Sequence, residues 1–160
     1  MTTIAFRGGV LAGDSCHNQE DKEGNSWCYR LANKLTVNKH VAYGTSGDAD
    51  SPGFFEMLAK LKSPGDFPPW SVRETFEDVR ALVCFRSGEV YTCEDGELSE
   101  FGDGDYAAIG SGRKFALGAM IRGASAVEAV FAACSICNHT RPPIYAFDTK
   151  AWEYQDIGRQ

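Results

Sequence analysis

Long apolar runs are missing from the sequence. No stretch approaches the roughly 20 residues that a helix needs to cross a bilayer. The opening also lacks a basic segment followed by an apolar run, which is the mark of a secretory signal peptide. We therefore expect a cytoplasmic protein with no membrane partner, in which the six cysteines are thiols rather than disulfides.

Positive charge is scarce as well. The 22 Asp and Glu residues outnumber the 16 Lys and Arg residues, which gives a formal net charge of -6 and a pI near 5.0. This balance argues against nucleic acid or an anionic membrane surface as the main partner. The sequence also lacks repeats and the phosphate-binding pattern G-x-x-x-x-G-K-[ST], so an ATP-driven step would need a separate protein.

The composition that remains is that of an ordinary globular domain. With 160 residues, 43% of them hydrophobic, the chain is long enough to bury a sizeable core without disulfides or metal. We expect one domain over residues 1–160. Apolar alternation and turn residues predict strands at 3–6, 10–12, 35–37, 40–44, 81–85, 90–93, 98–101, 144–147 and 152–154.

Helices are predicted between these strands. One begins near Pro52, with Phe54, Phe55, Leu58 and Leu61 on its apolar face, and a second covers residues 113–121. A third begins at Ser125, where Ser125-Ala126-Val127-Glu128 fits a capping box.

The predicted buried face of the third helix consists of Val127, Val130, Phe131 and Cys134. The polar stretch from Ser15 to Asn25 is predicted to be an exposed loop. The order of the elements indicates an α+β fold, with antiparallel sheets and helices packed on their outer faces.

Four segments then carry a family resemblance. The chain opens TTIAFRGGVLAGDS after Met1, and Asn33-Lys34-Leu35 precedes a glycine turn over residues 44–50. Ala108-Ile109-Gly110-Ser111-Gly112 leads into a predicted helix, and Ser135-Ile136-Cys137-Asn138-His139-Thr140 follows another. In this order the segments resemble proteasome β subunits and the bacterial HslV peptidase, with the Ile-Cys-x-x-Thr closer to HslV. The resemblance implies the four-layer αββα sandwich of N-terminal nucleophile hydrolases.

Thr2 is the residue to which the resemblance assigns the chemistry. A threonine hydroxyl is a poor nucleophile unless a base removes its proton. Removal of Met1 would give Thr2 a free α-amine, with a reference pKa of about 8, within reach of its own hydroxyl. The resemblance therefore implies a threonine-type endopeptidase in which Thr2 supplies both nucleophile and base.

The resemblance assigns roles to four further residues. Lys34 would favour ionisation of the Thr2 hydroxyl by its charge, and Asp14 would pair with Lys34. The Gly47 N–H would stabilise the oxyanion, and Ser111 would bond the Thr2 amine and relay a proton. Each residue also has a plainer interpretation: a surface ion pair for Asp14 and Lys34, a turn for Gly47, and a helix N-cap for Ser111.

A Cys134-x-x-Cys137-x-His139 pattern suggests a metal as an alternative. A structural zinc site takes four ligands, and this pattern supplies three. The resemblance implies instead a structural sodium ion held by the backbone carbonyls of Cys134, Cys137 and Thr140, because hard cations take oxygen ligands. No cofactor is expected to be required.

The implied function is a subunit of a self-compartmentalised protease that degrades unfolded polypeptides. We expect a closed homo-oligomeric ring of six or seven subunits, single or doubled, served by a separate AAA+ unfoldase. Apolar residues on the helix near Phe54 are expected to contribute a subunit contact. The alternative is a non-catalytic assembly subunit, since proteasome-like rings contain inactive members. The presence of Thr2, Asp14, Lys34 and Ser111 favours the catalytic interpretation.

Overall fold

The computed structural model describes residues 2–47, 51–102 and 104–157. Met1 and the end of the glycine turn, residues 48–50, lie outside the described residues. The strands are β1 (Thr3–Arg7), β2 (Val10–Gly13), β3 (Cys16–Glu20), β4 (Ser26–Leu31), β5 (Leu35–Val37), β6 (Val41–Gly47), β7 (Val79–Phe85), β8 (Val90–Glu94), β9 (Glu97–Phe101), β10 (Tyr106–Gly110), β11 (Tyr145–Asp148) and β12 (Glu153–Tyr154). The helices are α1 (Pro52–Lys60), α2 (Trp70–Arg73), α3 (Arg113–Ile121) and α4 (Ala126–Ile136), with a 3₁₀ turn at Pro64–Asp66.

Two antiparallel sheets of five strands each organise the fold. The first sheet has the strand order β10-β1-β2-β11-β12, and the second has the order β5-β6-β7-β8-β9. Strands β3 and β4 pair only with each other within the described ranges, so they form a hairpin outside both sheets. Strand β1 lies between β10 and β2, which fixes the chain directly after Thr2.

Three apolar clusters separate four layers. Ile4 and Leu11 of the first sheet pack against Leu82 of the second, and this cluster joins the two sheets. Phe54 and Leu58 of α1 cover the outer face of the second sheet. Met120, Val130 and neighbouring alanines of α3 and α4 cover the outer face of the first. The chain therefore runs helix, sheet, sheet, helix in cross-section, and the predicted α+β sandwich is confirmed.

The predicted loop from Ser15 to Asn25 is wrong. Strand β3 occupies Cys16–Glu20 and pairs with β4, with the turn between them at residues 21–25. The pattern gave no strand signal because most side chains of this hairpin are at least partly exposed on both faces, so apolar and polar residues do not alternate. Strand β10 was also not predicted; its last three residues, 108–110, begin the segment that ends at Gly112.

The predicted buried face of α4 needs a correction too. The capping box is present, because the Ser125 hydroxyl accepts from the Glu128 N–H and the Ser125 N–H donates to the Glu128 carboxylate. However, Phe131 is 49% exposed. The helix instead buries Val130 with three alanines: Ala126, Ala129 and Ala133.

Small side chains explain this change of face. The outer face of the first sheet presents Ala5, Ala12, Ala108 and Ala146 to the helices. Alanine on both sides lets the helix backbone approach the sheet closely, which a phenylalanine at the contact would prevent.

None of the described helices is long and apolar enough to span a membrane.

Candidate active site

Thr2 is held at a fixed position at the start of β1. It is 8% exposed, and the next residue, Thr3, pairs with Gly110 of β10. Gly110 has φ of +95°, and a Cβ on it would lie 1.8 Å from the carbonyl oxygen of Thr2. Only glycine therefore lets β10 pass this close to Thr2. The Ser111 hydroxyl donates to the same carbonyl at 3.4 Å.

Lys34 connects Thr2 to a buried carboxylate. Its Nζ lies 3.2 Å from the Thr2 Oγ1, and it donates to both oxygens of Asp14, at 3.0 and 3.1 Å. The Lys34 side chain is only 6% exposed and that of Asp14 is fully buried. An ammonium group at this distance stabilises the alkoxide that forms when the hydroxyl loses its proton.

Asp14 is surrounded by donors. Besides Lys34, its carboxylate accepts the backbone N–H groups of Thr3 at 2.9 Å, Cys16 at 3.0 Å and Arg141 at 3.3 Å. A buried charge is tolerated only when it is paired and hydrogen-bonded, and this carboxylate meets both conditions. The Asp14–Lys34 pair is therefore part of the interior and not an ion pair of the surface.

Gly47 ends β6 at the border of the same site. Its φ is +104°, and a Cβ on it would lie 1.9 Å from the carbonyl oxygen of Asp78. No other residue fits this backbone conformation in this space. The conformation leaves the Gly47 backbone beside the cleft without a side chain in the way.

A cleft of about 520 Å³ opens over these residues. Thr2, Lys34 and Gly47 line it together with the hairpin residues His17, Asn18 and Tyr29. Cys16, Phe55 of α1 and three polar residues, Asn33, Thr45 and Ser46, complete the described lining. A peptide entering the cleft would thus meet the Thr2 hydroxyl beside the hairpin β3–β4.

His17 and Ser46 belong to the site but were not found by sequence reasoning. Within residues 2–47, 51–102 and 104–157, the Nε2 of His17 and the Oγ of Ser46 are buried polar atoms without a hydrogen-bond partner. Burial, together with the charges of Lys34 and Arg30, holds the pKa of His17 below its ordinary value, although Asp14 acts in the opposite direction. No sequence motif marks these residues, because pairing of polar atoms depends on the folded geometry.

The loop after α4 supports the site from behind. The Arg141 carbonyl accepts from the Ser15 N–H at 3.0 Å and from the Ser15 hydroxyl at 3.2 Å. The Asn18 side-chain amide donates to the His139 carbonyl at 2.8 Å, which ties the hairpin to this loop. The loop thus contacts both Asp14 and the cleft wall.

The residues predicted to hold a cation lie at the end of α4 and in this loop. Burial raises the pKa of Cys134 to about 11, so its thiol is neutral at ordinary pH. The Cys137 carbonyl accepts from the Thr140 N–H and hydroxyl, at 3.3 and 3.4 Å. Among the described residues, no three His, Cys, Asp or Glu side chains form a metal-binding group. Backbone oxygens at a helix C-terminus therefore suit a hard cation better than these thiols suit zinc.

Comparison with known proteins identifies the fold. No protein-family model and no curated protein matches the chain. Among solved structures, HslV from Trypanosoma brucei matches with a TM-score of 0.65 and 19% identity, over 91% of this chain and 96% of that one. BPH from Thiobacillus denitrificans matches with a TM-score of 0.62 and 18% identity, over 91% and 95%. Its complex with epoxomicin gives 0.61 and 17%, over 91% and 96%.

This chain has the HslV fold. The resemblance indicated by four short segments is thereby confirmed at the level of the fold. The fold brings Thr2, Lys34 and Asp14 into contact, and it places Gly47 and Ser111 beside them. One detail differs from expectation, because the Ser111 hydroxyl contacts the carbonyl of Thr2. Ser111 is also not the N-cap of α3, since Gly112 holds that position.

Proposed function

We propose that the chain is the peptidase subunit of a threonine-type protease, with Thr2 as its N-terminal nucleophile after removal of Met1. One observation carries the proposal: a lysine buried against Asp14 donates to the Thr2 hydroxyl at the floor of an open cleft. Burying an ion pair costs desolvation free energy, so a buried pair placed against a hydroxyl in a cleft marks a candidate functional site. Similarity to HslV and BPH over most of the chain supports the proposal.

The residues divide the reaction between them. The α-amine of a processed Thr2 accepts the hydroxyl proton, while Lys34 stabilises the oxygen that attacks the substrate carbonyl. The N–H of Gly47 stabilises the tetrahedral oxyanion. The proton passes to the leaving amine as the peptide bond breaks, which leaves an ester on Thr2. Water then hydrolyses the ester, with the same amine as base.

The test uses the Met1-less protein on short fluorogenic peptides. Activity is expected in the wild type and a reduced rate in Thr2→Ser, which keeps the hydroxyl and the amine. Thr2→Ala should be inactive, and a Thr2→Ala protein as active as wild type would overturn the proposal. Intact mass shows whether Met1 is removed. An epoxyketone such as epoxomicin, the ligand of one BPH structure, should add its own mass to Thr2 because it presents two electrophilic carbons to the amine and hydroxyl.

A homo-oligomeric ring served by a separate unfoldase remains the proposed setting. The predicted subunit contact on α1 is wrong, because Phe54, Met57, Leu58 and Leu61 all lie in the core. Exposed apolar residues lie instead on α3 and α4, at Phe115, Ile121, Phe131 and Ile136. Light scattering tests assembly, and a strict monomer at micromolar concentration contradicts it. A folded ring without Thr2-dependent cleavage would favour the non-catalytic subunit.

We also propose that a sodium ion binds the carbonyls of Cys134, Cys137 and Thr140. The main-chain carbonyls that gather at the C-terminal end of α4 and in the following loop support this assignment. Thermal unfolding in sodium chloride should give a higher midpoint than unfolding in tetramethylammonium chloride at equal ionic strength. Equal midpoints in the two salts would contradict the site.

A further inference from the structure

Two buried polar atoms of residues that line the cleft have no hydrogen-bond partner in the part of the chain that the structure describes. The His17 Nε2 lies on the hairpin strand β3, and the Ser46 Oγ lies on β6 directly before Gly47. Both residues line the cleft that contains Thr2. In folded proteins about nine in ten buried polar groups are paired, so two unpaired atoms in one cleft indicate an occupant that pairs them.

The charge state of His17 narrows the chemistry of that occupant. Burial and the nearby charges of Lys34 and Arg30 lower the pKa of His17, so its imidazole is neutral at ordinary pH. A neutral imidazole Nε2 donates in one tautomer and accepts in the other, and a serine hydroxyl does both. An occupant that carries a donor and an acceptor together therefore satisfies both atoms in either tautomer.

We propose that the cleft selects a carboxamide side chain, glutamine or asparagine, at the substrate residue whose carbonyl Thr2 attacks. His17 and Ser46 are then the residues that determine specificity. The carboxamide combines one carbonyl acceptor with two N–H donors and carries no charge. The inference rests on the proposed peptidase function and names the substrate class of that site.

The size and the polar lining of the cleft suit this side chain. The cleft measures about 520 Å³, and its other described lining residues include Asn18, Asn33 and Thr45, which suit a polar occupant. The His17 Nε2 and the Ser46 Oγ are both buried, so each side chain must turn to another staggered position before these atoms can bond an occupant of the cleft. An apolar side chain in the same place would leave both buried atoms unpaired, and sites built to hydrogen-bond a substrate reject analogues without the bonding group.

The experiment compares four fluorogenic peptides that differ only at the residue before the scissile bond: Gln, Leu, Glu and Lys. For the Met1-less wild type, kcat/KM for the Gln peptide should exceed that for the Leu peptide about tenfold, as expected for one to two neutral hydrogen bonds. Ser46→Ala and His17→Leu should each reduce this ratio severalfold. Gln19→Leu, on the exposed end of β3 outside the cleft, is the matched control and should keep the wild-type ratio.

The outcomes separate this inference from the function on which it rests. A Leu, Glu or Lys peptide cleaved best, with cleavage still dependent on Thr2, overturns the carboxamide selectivity and leaves the peptidase function standing. A ratio unchanged in Ser46→Ala and His17→Leu removes the role of these residues, and Ser46→Ala alone decides if His17→Leu does not fold. Absence of Thr2-dependent cleavage of all four peptides, with no epoxyketone adduct, overturns the peptidase function itself.

Discussion

The floor and the wall of the cleft differ in how their polar atoms are paired. On the floor, the Asp14 carboxylate meets Lys34 and three backbone N–H groups, and Lys34 also reaches Thr2. On the wall, the His17 Nε2 and the Ser46 Oγ have no hydrogen-bond partner among the described residues. Complete pairing fixes the position of the reacting atoms, whereas unpaired atoms leave hydrogen bonds for a ligand to make.

The same contrast holds for the elements that carry the two regions. Thr2 and Asp14 border β1 and β2 in the interior of a five-stranded sheet. The wall includes β3 and β4, a hairpin that neither sheet incorporates and that exposes Trp27, Tyr29 and Leu31. An isolated hairpin is marginally stable, so the loop contact from Asn18 to His139 matters for holding it. The fully paired floor residues and the adaptable wall thus lie on different parts of the chain.

The largest effect is expected from breaking the pairing on the floor with Lys34→Ala. The variant loses the charge beside the Thr2 hydroxyl and leaves Asp14 buried without its counter-ion. We expect kcat/KM to fall by roughly 10³-fold or more and the free energy of unfolding to fall by about 3–5 kcal/mol. Peptide cleavage and urea unfolding measure the two effects.

The double variant Asp14→Asn/Lys34→Met is the control for the floor. Removing both charges together should recover much of the lost stability, because no unpaired charge remains buried. Activity should stay lost, since the ammonium is still missing. Activity close to wild type in either variant would show that the reaction does not depend on the charge of Lys34.

A second large effect is expected from Gly47→Ala. The added Cβ would collide with the Asp78 carbonyl, and alanine disfavours φ of +104°. We expect a loss of about 10²–10³-fold in kcat, the cost of misplacing one oxyanion donor, with a stability loss of about 1–3 kcal/mol.

Gly88→Ala is the matched control for this change. Gly88 has φ of +114° in the turn between β7 and β8, but a Cβ there meets nothing within 4 Å. Gly88→Ala should lose stability through backbone strain while its activity stays at the wild-type level. If both variants lost the same activity, general destabilisation would explain the effect of Gly47→Ala.

Sequence reasoning found most strands of the two sheets and named the residues of the floor, but it missed β10 and the hairpin of the wall. The strands with apolar alternation were predicted, and Thr2, Asp14 and Lys34 came from the resemblance rather than from periodicity. The hairpin was missed because exposure of most of its side chains removes the alternation that marks a strand. The face of α4 was misplaced because alanine carries a weak apolar signal, although it allows the closest helix–sheet contact.

A smaller effect, on the wall, is expected in the pH dependence of stability. The pKa of His17 is lower in the folded chain than its ordinary value of 6.5. As the pH falls below 6.5, the unfolded chain therefore binds a proton before the folded chain does, and stability falls towards the lowered pKa. His17→Leu should show a smaller loss of unfolding free energy between about pH 7.5 and about pH 5, while Gln19→Leu keeps the wild-type loss. Identical losses in all three proteins would show that the folded environment does not disfavour the charged imidazole.

The smallest effect is expected at a contact behind the floor, between the residues that flank Lys34 and strand β12. The Tyr154 hydroxyl accepts from the Asn33 side-chain amide at 2.9 Å and donates to the Leu35 carbonyl at 3.5 Å. Tyr154→Phe removes these bonds but keeps the ring that packs on Phe147. Because Tyr154 is 44% exposed, the expected stability loss is only about 0.5–1 kcal/mol. If the contact positions Lys34, kcat should fall about two- to fivefold with KM unchanged, a small shift in transition-state energy. A stability loss with unchanged kcat would mean that the paired floor holds Lys34 without help from β12.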